Sequence, residues 1–380
     1  MNKATSLAAA FATLATAVYA APMVSIGDNA DIFFNLGTAV KVDDNITGAP
    51  ANELDDVIFT VSPGLEVDFF RGETLWDAVF QISTDFIRYS DNDQFDVNNL
   101  NASFAADYAS PVLEASFGAS YSEDQQKTQQ VVGDLVEIEN TVIQGFVKYD
   151  VTEKVAVSFA PRYTLQEYVE DFDSVLPDRD KILLSLKGYY AISPKYDITA
   201  GIAYRDTDID DLPNRVGSDP EDIRLTVGVE GEVLPKVTAA LDVGYTERSF
   251  NGIDRSDQSI LYLGGDLTWA ATPKVSVNLA LSQDFQSTAT GNPIESSSAT
   301  LNVTYEVNEL WAVSPFLKFL TDDYVGGVRE DDVAMAGVGV GYSPNGFLDF
   351  GAQVYYLEND STLDLDYDNT VFQLTASLRY

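Results

Sequence analysis

The side chains able to do chemistry in this chain are mostly carboxylates. Its 380 residues include 60 Asp and Glu against 22 Lys and Arg, with no histidine and no cysteine. Without imidazole or thiol there is no Ser-His-Asp or Cys-His relay and no His- or Cys-ligated metal centre. No hydroxyl or amine stands beside a recognisable activating base either, so neither an enzyme nor a cofactor is expected. Two charge patterns remain. Asp206, Asp208, Asp210 and Asp211 alternate somewhat like oxygen ligands for a hard cation. The glycine and closing glutamate of an EF-hand loop are missing, and acidic runs usually face water, which makes them weak calcium candidates. The second pattern is of mixed sign: Lys148, Arg162, Lys187, Arg205 and Arg224, with Asp242 and Asp266. Set around a water-filled passage, with the arginines opposite the aspartates, these groups would make a transverse field. They would equally serve as ion pairs that stabilise a wall. The net charge of -38 argues against nucleic acid and against basic-patch attachment to anionic lipid.

The elements that carry these charges read as β-strands. Lys195 to Asp206 and Lys236 to Glu247 both follow a proline, and both end in Tyr followed by a charge. In the second, Val237, Ala239, Leu241, Val243 and Tyr245 share one face, and Thr238, Ala240, Asp242 and Gly244 the other. That is the two-residue period of a strand, whose side chains point alternately to opposite faces. The unit recurs along the chain with a period of roughly 40 residues, one hairpin of two long strands. The tyrosines at 121, 163, 204 and 245 mark where strands leave the apolar band. Charges on the other parity would cost about 2 to 4 kcal/mol for a basic residue at a bilayer midplane, so that face must meet water.

Residues 1–20 read as a secretory signal peptide: Lys3, an apolar run from Leu7 to Val18, then Val18-Tyr19-Ala20. Residues 21–30 form a short periplasmic segment and 31–380 one strand-built domain. About ten residues before the first strand are too few for a plug domain, and no long inward loop is evident, so wall side chains should set any constriction. Connections alternate in kind. Those at Ser110-Pro111, Ser193-Pro194, Leu234-Pro235, Thr272-Pro273 and Ser343-Pro344 are short, and those between are longer and acidic. Short turns at one rim, longer loops at the other, and an apolar outer face around a polar interior describe an all-β transmembrane antiparallel up-and-down barrel. The count is about 18 strands, or 16 if the first pair lies outside the wall. Pro63, Pro161 and Pro315 fall inside strands on the apolar parity, where bulges are expected to accommodate them.

Phe372, Leu374, Ala376, Leu378 and Tyr380 alternate up to the final aromatic. This resembles the terminal strand by which bacterial outer-membrane barrels are recognised for insertion. Asp56-Val57-Ile58-Phe59-Thr60-Val61-Ser62-Pro63-Gly64-Leu65 resembles an early-strand pattern in the putative β-barrel porin family, some of whose members are linked to exopolysaccharide export. The resemblance implies an outer-membrane location, contact with lipid and with the barrel-assembly machinery, and a porin-like channel for small hydrophilic solutes or ions. Acidic outer loops make cations the expected preference. The alternative is a non-conducting scaffold or a component of an exopolysaccharide exporter.

Overall fold

The computed structural model describes residues 21–27, 29–70, 75–128, 131–169, 176–212, 219–251, 256–288 and 292–380. The signal segment 1–20, the turn at 71–73 and the loop acids Asp171 and Asp173 lie outside these.

A short β1 (Val24–Ile26) precedes the long strands β2 (Ala30–Asp43), β3 (Asp56–Phe69), β4 (Trp76–Tyr89), β5 (Val97–Ala109) and β6 (Leu113–Thr128). Next come β7 (Val131–Thr152), β8 (Val155–Tyr168), β9 (Arg179–Ser193), β10 (Tyr196–Ile209), β11 (Asp219–Leu234) and β12 (Val237–Asn251). The chain ends with β13 (Gln258–Thr272), β14 (Val275–Ser287), β15 (Pro293–Glu306), β16 (Trp311–Tyr324), β17 (Glu330–Asn345), β18 (Leu348–Ser361) and β19 (Tyr367–Arg379). From β2 to β19 each strand pairs antiparallel with its neighbours in sequence. The ring then closes, because β19 pairs back onto β2 from Val371↔Asp43 to Arg379↔Asn35. The wall therefore has 18 strands, β2 to β19, and the first pair is part of it. Beside it, β1 adds three residues along the foot of β2. Closure removes every edge from the hydrocarbon, where an unpaired backbone group has no water to bond.

The alternation read from sequence divides the two faces. Val40, Val42, Phe59, Val61, Leu65, Val227, Val243, Phe319, Phe372 and Leu374 stand exposed on the outside. Trp311, Tyr342 and Phe350 stack along the short-turn rim, with ring centroids 4.4 and 6.2 Å apart. The short turns share one device. Thr152, Ser193 and Thr272 each accept from the backbone N–H of the lysine two residues on, and Asn345 does the same for Phe347. A side-chain acceptor at the first turn position mimics a backbone turn and fixes where the next strand starts.

The three strand prolines sit differently from expectation. Each pairs on one side, as Leu36↔Pro63, Pro161↔Leu184 and Pro315↔Val338. On the other side the ladder skips the proline and a neighbour, then resumes in the same register. No bulge is present at any of them. The missing N–H costs a local bond without shifting the strand, so the faces stay in phase.

Candidate functional site

The inward parity is unevenly charged around the ring. On β2 to β6 it carries Asp43, Asp56, Glu66, Asp68, Asp85, Asp107 and Asp124, with Lys41 as a basic neighbour. On β7 to β12 it carries Lys148, Arg162, Arg179, Lys181, Lys187, Arg205, Arg224 and Arg248, interspersed with Asp150, Asp197, Asp222, Glu230 and Asp242. An acidic arc and an arc rich in basic residues but of mixed sign thus face one lumen, and an 18-strand ring is wide enough to leave that lumen open to water.

The basic arc condenses into a network towards the long-loop rim. Asp222, on β11, accepts Arg205 Nε at 2.5 Å and the Nε and Nη2 of Arg248 at 2.7 and 2.9 Å. Asp284, on β14, accepts Arg205 Nη1 at 2.9 Å and Arg224 Nη2 at 2.5 Å. Arg224 lies over the Tyr262 ring, 3.8 Å from its centroid, and Arg248 over Phe285, 4.7 Å away. Three arginines also donate to backbone carbonyls of the same short segment of β14. Arg205 reaches Phe285 O, Arg248 reaches Gln286 O, and Arg179 reaches Ser287 O, at 3.1, 2.8 and 3.1 Å.

These contacts cross the lumen. Along the wall β9 and β14 are five strand steps apart, about 24 Å at the usual strand spacing and far beyond an arginine's reach. The strand pairing explains how they meet. β13 and β14 pair only from Leu263↔Gln283 down to the turn. Above that level Gln258 to Tyr262 pair with β12 alone, while residues 284–287 of β14 stay paired with β15 up to Ser287↔Pro293, so the top of the β14–β15 hairpin leans inward away from β13. Phe285 becomes fully buried there.

A second region narrows the same rim. β5 and β6 pair only up to Asn101↔Ser122, so the top of the β6–β7 hairpin is free to lean. Its Lys127 Nζ donates to Asn45 O and, at 3.2 Å, to Asn369 Oδ1, across β3 to β5. Residues 44–55 fold under it, burying Asn45, Ile46, Thr47 and Ala49. Ile46 packs with Ile58, Phe95 and Leu135. Wall side chains therefore do not set the constriction alone. Two inward segments do so as well, each too short to announce itself as a long loop.

The residues singled out by sequence are placed as follows. Lys187 pairs with Asp242 at 2.6 Å, and Thr199 donates to the same carboxylate at 3.2 Å. Lys148 lies over the Tyr189 ring at 4.3 Å. Arg162 stands in register with Gln144 and Leu183, and Asp266 with Ala240 and Ala280. Arg205 and Arg224 do not face Asp242 and Asp266 across the barrel; Asp222 and Asp284 hold them. Asp206 and Asp208 lie on the opposite parity of β10 from Arg205, and Asp210 and Asp211 just beyond its end. Among the described residues no group of three or more His, Cys, Asp or Glu is placed to hold a metal ion. Phe372, Leu374 and Leu378 lie on the closing strand, and Tyr380 exchanges backbone hydrogen bonds with Phe34. Sequence reasoning missed Arg179, Lys181, Asp222, Arg248 and Asp284. The signal was available, since each continues the inward parity beyond the level of the exit tyrosines.

Comparison with known proteins agrees with this architecture. The model of the family described as Putative beta-barrel porin 2 matches residues 32–380. A search of curated proteins returns no match. A BenF-like porin from Pseudomonas fluorescens Pf-5 superposes with a TM-score of 0.51 at 11% identity, covering 92% of this chain and 99% of that one. The outer-membrane protein OpdK from Pseudomonas aeruginosa gives 0.49 at 10% identity, with 92% and 99% covered. At such identities the likeness is one of fold.

Proposed function

Because the chain belongs to the Putative beta-barrel porin 2 family, a family of bacterial outer-membrane barrels in contact with membrane lipid, we propose that it is a channel for passive diffusion of small hydrophilic solutes or ions, with cations preferred. The observation that carries this reading is the closed 18-strand ring whose inward parity is polar and charged along its length. A ring of that size is not filled by its own side chains. The cation preference rests on the long-loop rim, where Asp91, Asp93, Glu330 and Asp332 are exposed. A mouth of one sign concentrates counter-ions and repels co-ions. The first wall strand starts and the last one ends at the short-turn rim, which supports a periplasmic short-turn rim and an outer acidic rim. In this reading the barrel-assembly machinery takes β19 as the insertion signal, and the inward charges Lys148, Arg162, Lys187, Arg205, Arg224, Asp242 and Asp266 line the path.

The test is a reversal potential under a KCl gradient in a planar bilayer. Cation preference is expected at low mean salt and should weaken near 1 M, where the Debye length falls to about 3 Å. An anion preference refutes the acidic-mouth argument. Absence of conductance from folded protein moves the assignment to a scaffold or an exopolysaccharide-export component, a reading that the two inward segments at the mouth would then favour.

A further inference from the structure

The arginine network has the form of an anion site that is already occupied. Arg179, Arg205, Arg224 and Arg248 are four guanidinium groups gathered on β9 to β12 with Lys181 beside them, in a chain with only 22 Lys and Arg in all. Two carboxylates stand among them, and these differ in kind. Asp222 belongs to the same stretch of wall and is 1% exposed. Asp284 arrives from three to four strands away, on the top of a β14–β15 hairpin that has parted from β13. Two guanidinium groups converge on one oxygen of Asp284, the arrangement by which arginines recognise a carboxylate or phosphate. Lys181, two residues from Arg179 on the same parity of β9, stands in register with Thr207, two residues beyond Arg205 on β10.

The open seam between β13 and β14 is defined just as clearly. Continuing the β13–β14 register above Leu263↔Gln283 sets Tyr262 opposite Asp284 and Leu261 opposite Phe285. Phe285 would then extend the outer apolar face of Val275, Val277, Leu279 and Leu281, beside Leu261, which is now 63% exposed. Leu261 is in register with Tyr245, one of the exit tyrosines, so the open edge begins at the outer interface, where water can serve its backbone groups. The alternation of β14 is thus written for the wall position, while its carboxylate is held in the lumen.

We propose that Arg205, Arg224 and Lys181 form a binding site for the carboxylate or phosphate group of a solute, and that Asp284 is a tethered occupant which such a solute displaces. Displacement releases the top of the β14–β15 hairpin, so that residues 284–287 zip onto β13 while keeping β15, and widens the lumen. The inference rests on the channel reading for its purpose, yet its test does not need conduction. With no native cysteine in the chain, the pair Leu261→Cys and Phe285→Cys reports the zipped state by disulfide formation under mild oxidant in purified, refolded barrel. The pair Leu263→Cys and Gln283→Cys, in register now, serves as the control and should cross-link under every condition. Citrate is the probe. It should raise the 261–285 cross-linked fraction by roughly fivefold or more over chloride at equal ionic strength, the low end of ordinary coupling between sites. Asp284→Asn should raise it without citrate. Equal yields in citrate and matched chloride, or no rise with Asp284→Asn while the control pair cross-links, overturn the proposal. If the barrel proves non-conducting while citrate still shifts the cross-link, the site stands and the channel reading falls.

Discussion

Asp222 offers the sharpest test of whether the arginine network is structural. Its side chain is 1% exposed and receives Arg248, 2% exposed, through two parallel hydrogen bonds, with Arg205, 9% exposed, on the same carboxylate. Replacing Asp222 by Asn keeps the shape but removes the charge and turns an N–H2 group towards two guanidinium groups. Breaking one partner of a buried pair costs about 3 to 5 kcal/mol, because the charge left behind has lost its solvent and its counter-ion. Arg205 retains Asp284 at 2.9 Å, so the loss falls chiefly on Arg248. The double variant Asp222→Leu with Arg248→Met removes both charges from that pair, and should recover to within about 1 kcal/mol of the parent, since apolar replacement of a buried pair is often neutral. Equilibrium urea unfolding in lipid vesicles, followed by the fluorescence of Trp76, Trp269 and Trp311, reads all three proteins. A single variant within about 1 kcal/mol of the parent, or a double variant no better than the single, would show that water reaches these charges and that the network is a solvated lining.

Leu241→Arg sets a charge on the lipid face and should lose about 2 to 4 kcal/mol if near the midplane, visible as a lower yield of the heat-modifiable form. Asp242→Asn, one residue away on the lumen side, should assemble normally because its partner Lys187 keeps partial access to water; equal yields for the two variants would reverse the face assignment. Deleting residues 372–380 removes most of the strand that pairs with β2, leaving an open edge, so the folded form should vanish from gels of the outer membrane. Asp56 accepts the backbone N–H groups of Ser90 and Asn92 at 2.8 and 2.9 Å and the Asn92 side chain at 2.9 Å. Asp56→Ala should therefore make the 90–96 connection a site of early proteolytic nicking in intact vesicles, and unchanged cleavage kinetics would show that the carboxylate does not hold that loop.

Local sequence sufficed for the barrel, for which face of each strand turns outward, and for the short-turn rim. A strand in a bilayer has one face in hydrocarbon and one in water, so Val237, Leu241 and Val243 declare their side without reference to any partner. The turn acceptors Thr152, Ser193, Thr272 and Asn345 are equally local, since each bonds to backbone two residues on. Tertiary structure alone decided which charges meet. Lumen positions are sorted only as polar, and nothing local tells Arg205 that Asp284, 79 residues away, will be its partner and Asp242 will not. The strands also run on past the apolar band: β12 continues from Tyr245 to Asn251, and Arg248 lies in that extension. Above the membrane the lipid no longer enforces pairing, because water can serve a free edge. There a seam such as that between β13 and β14 can open, and long-range side-chain contacts, rather than the alternation, fix where residues 284–287 and 44–55 go.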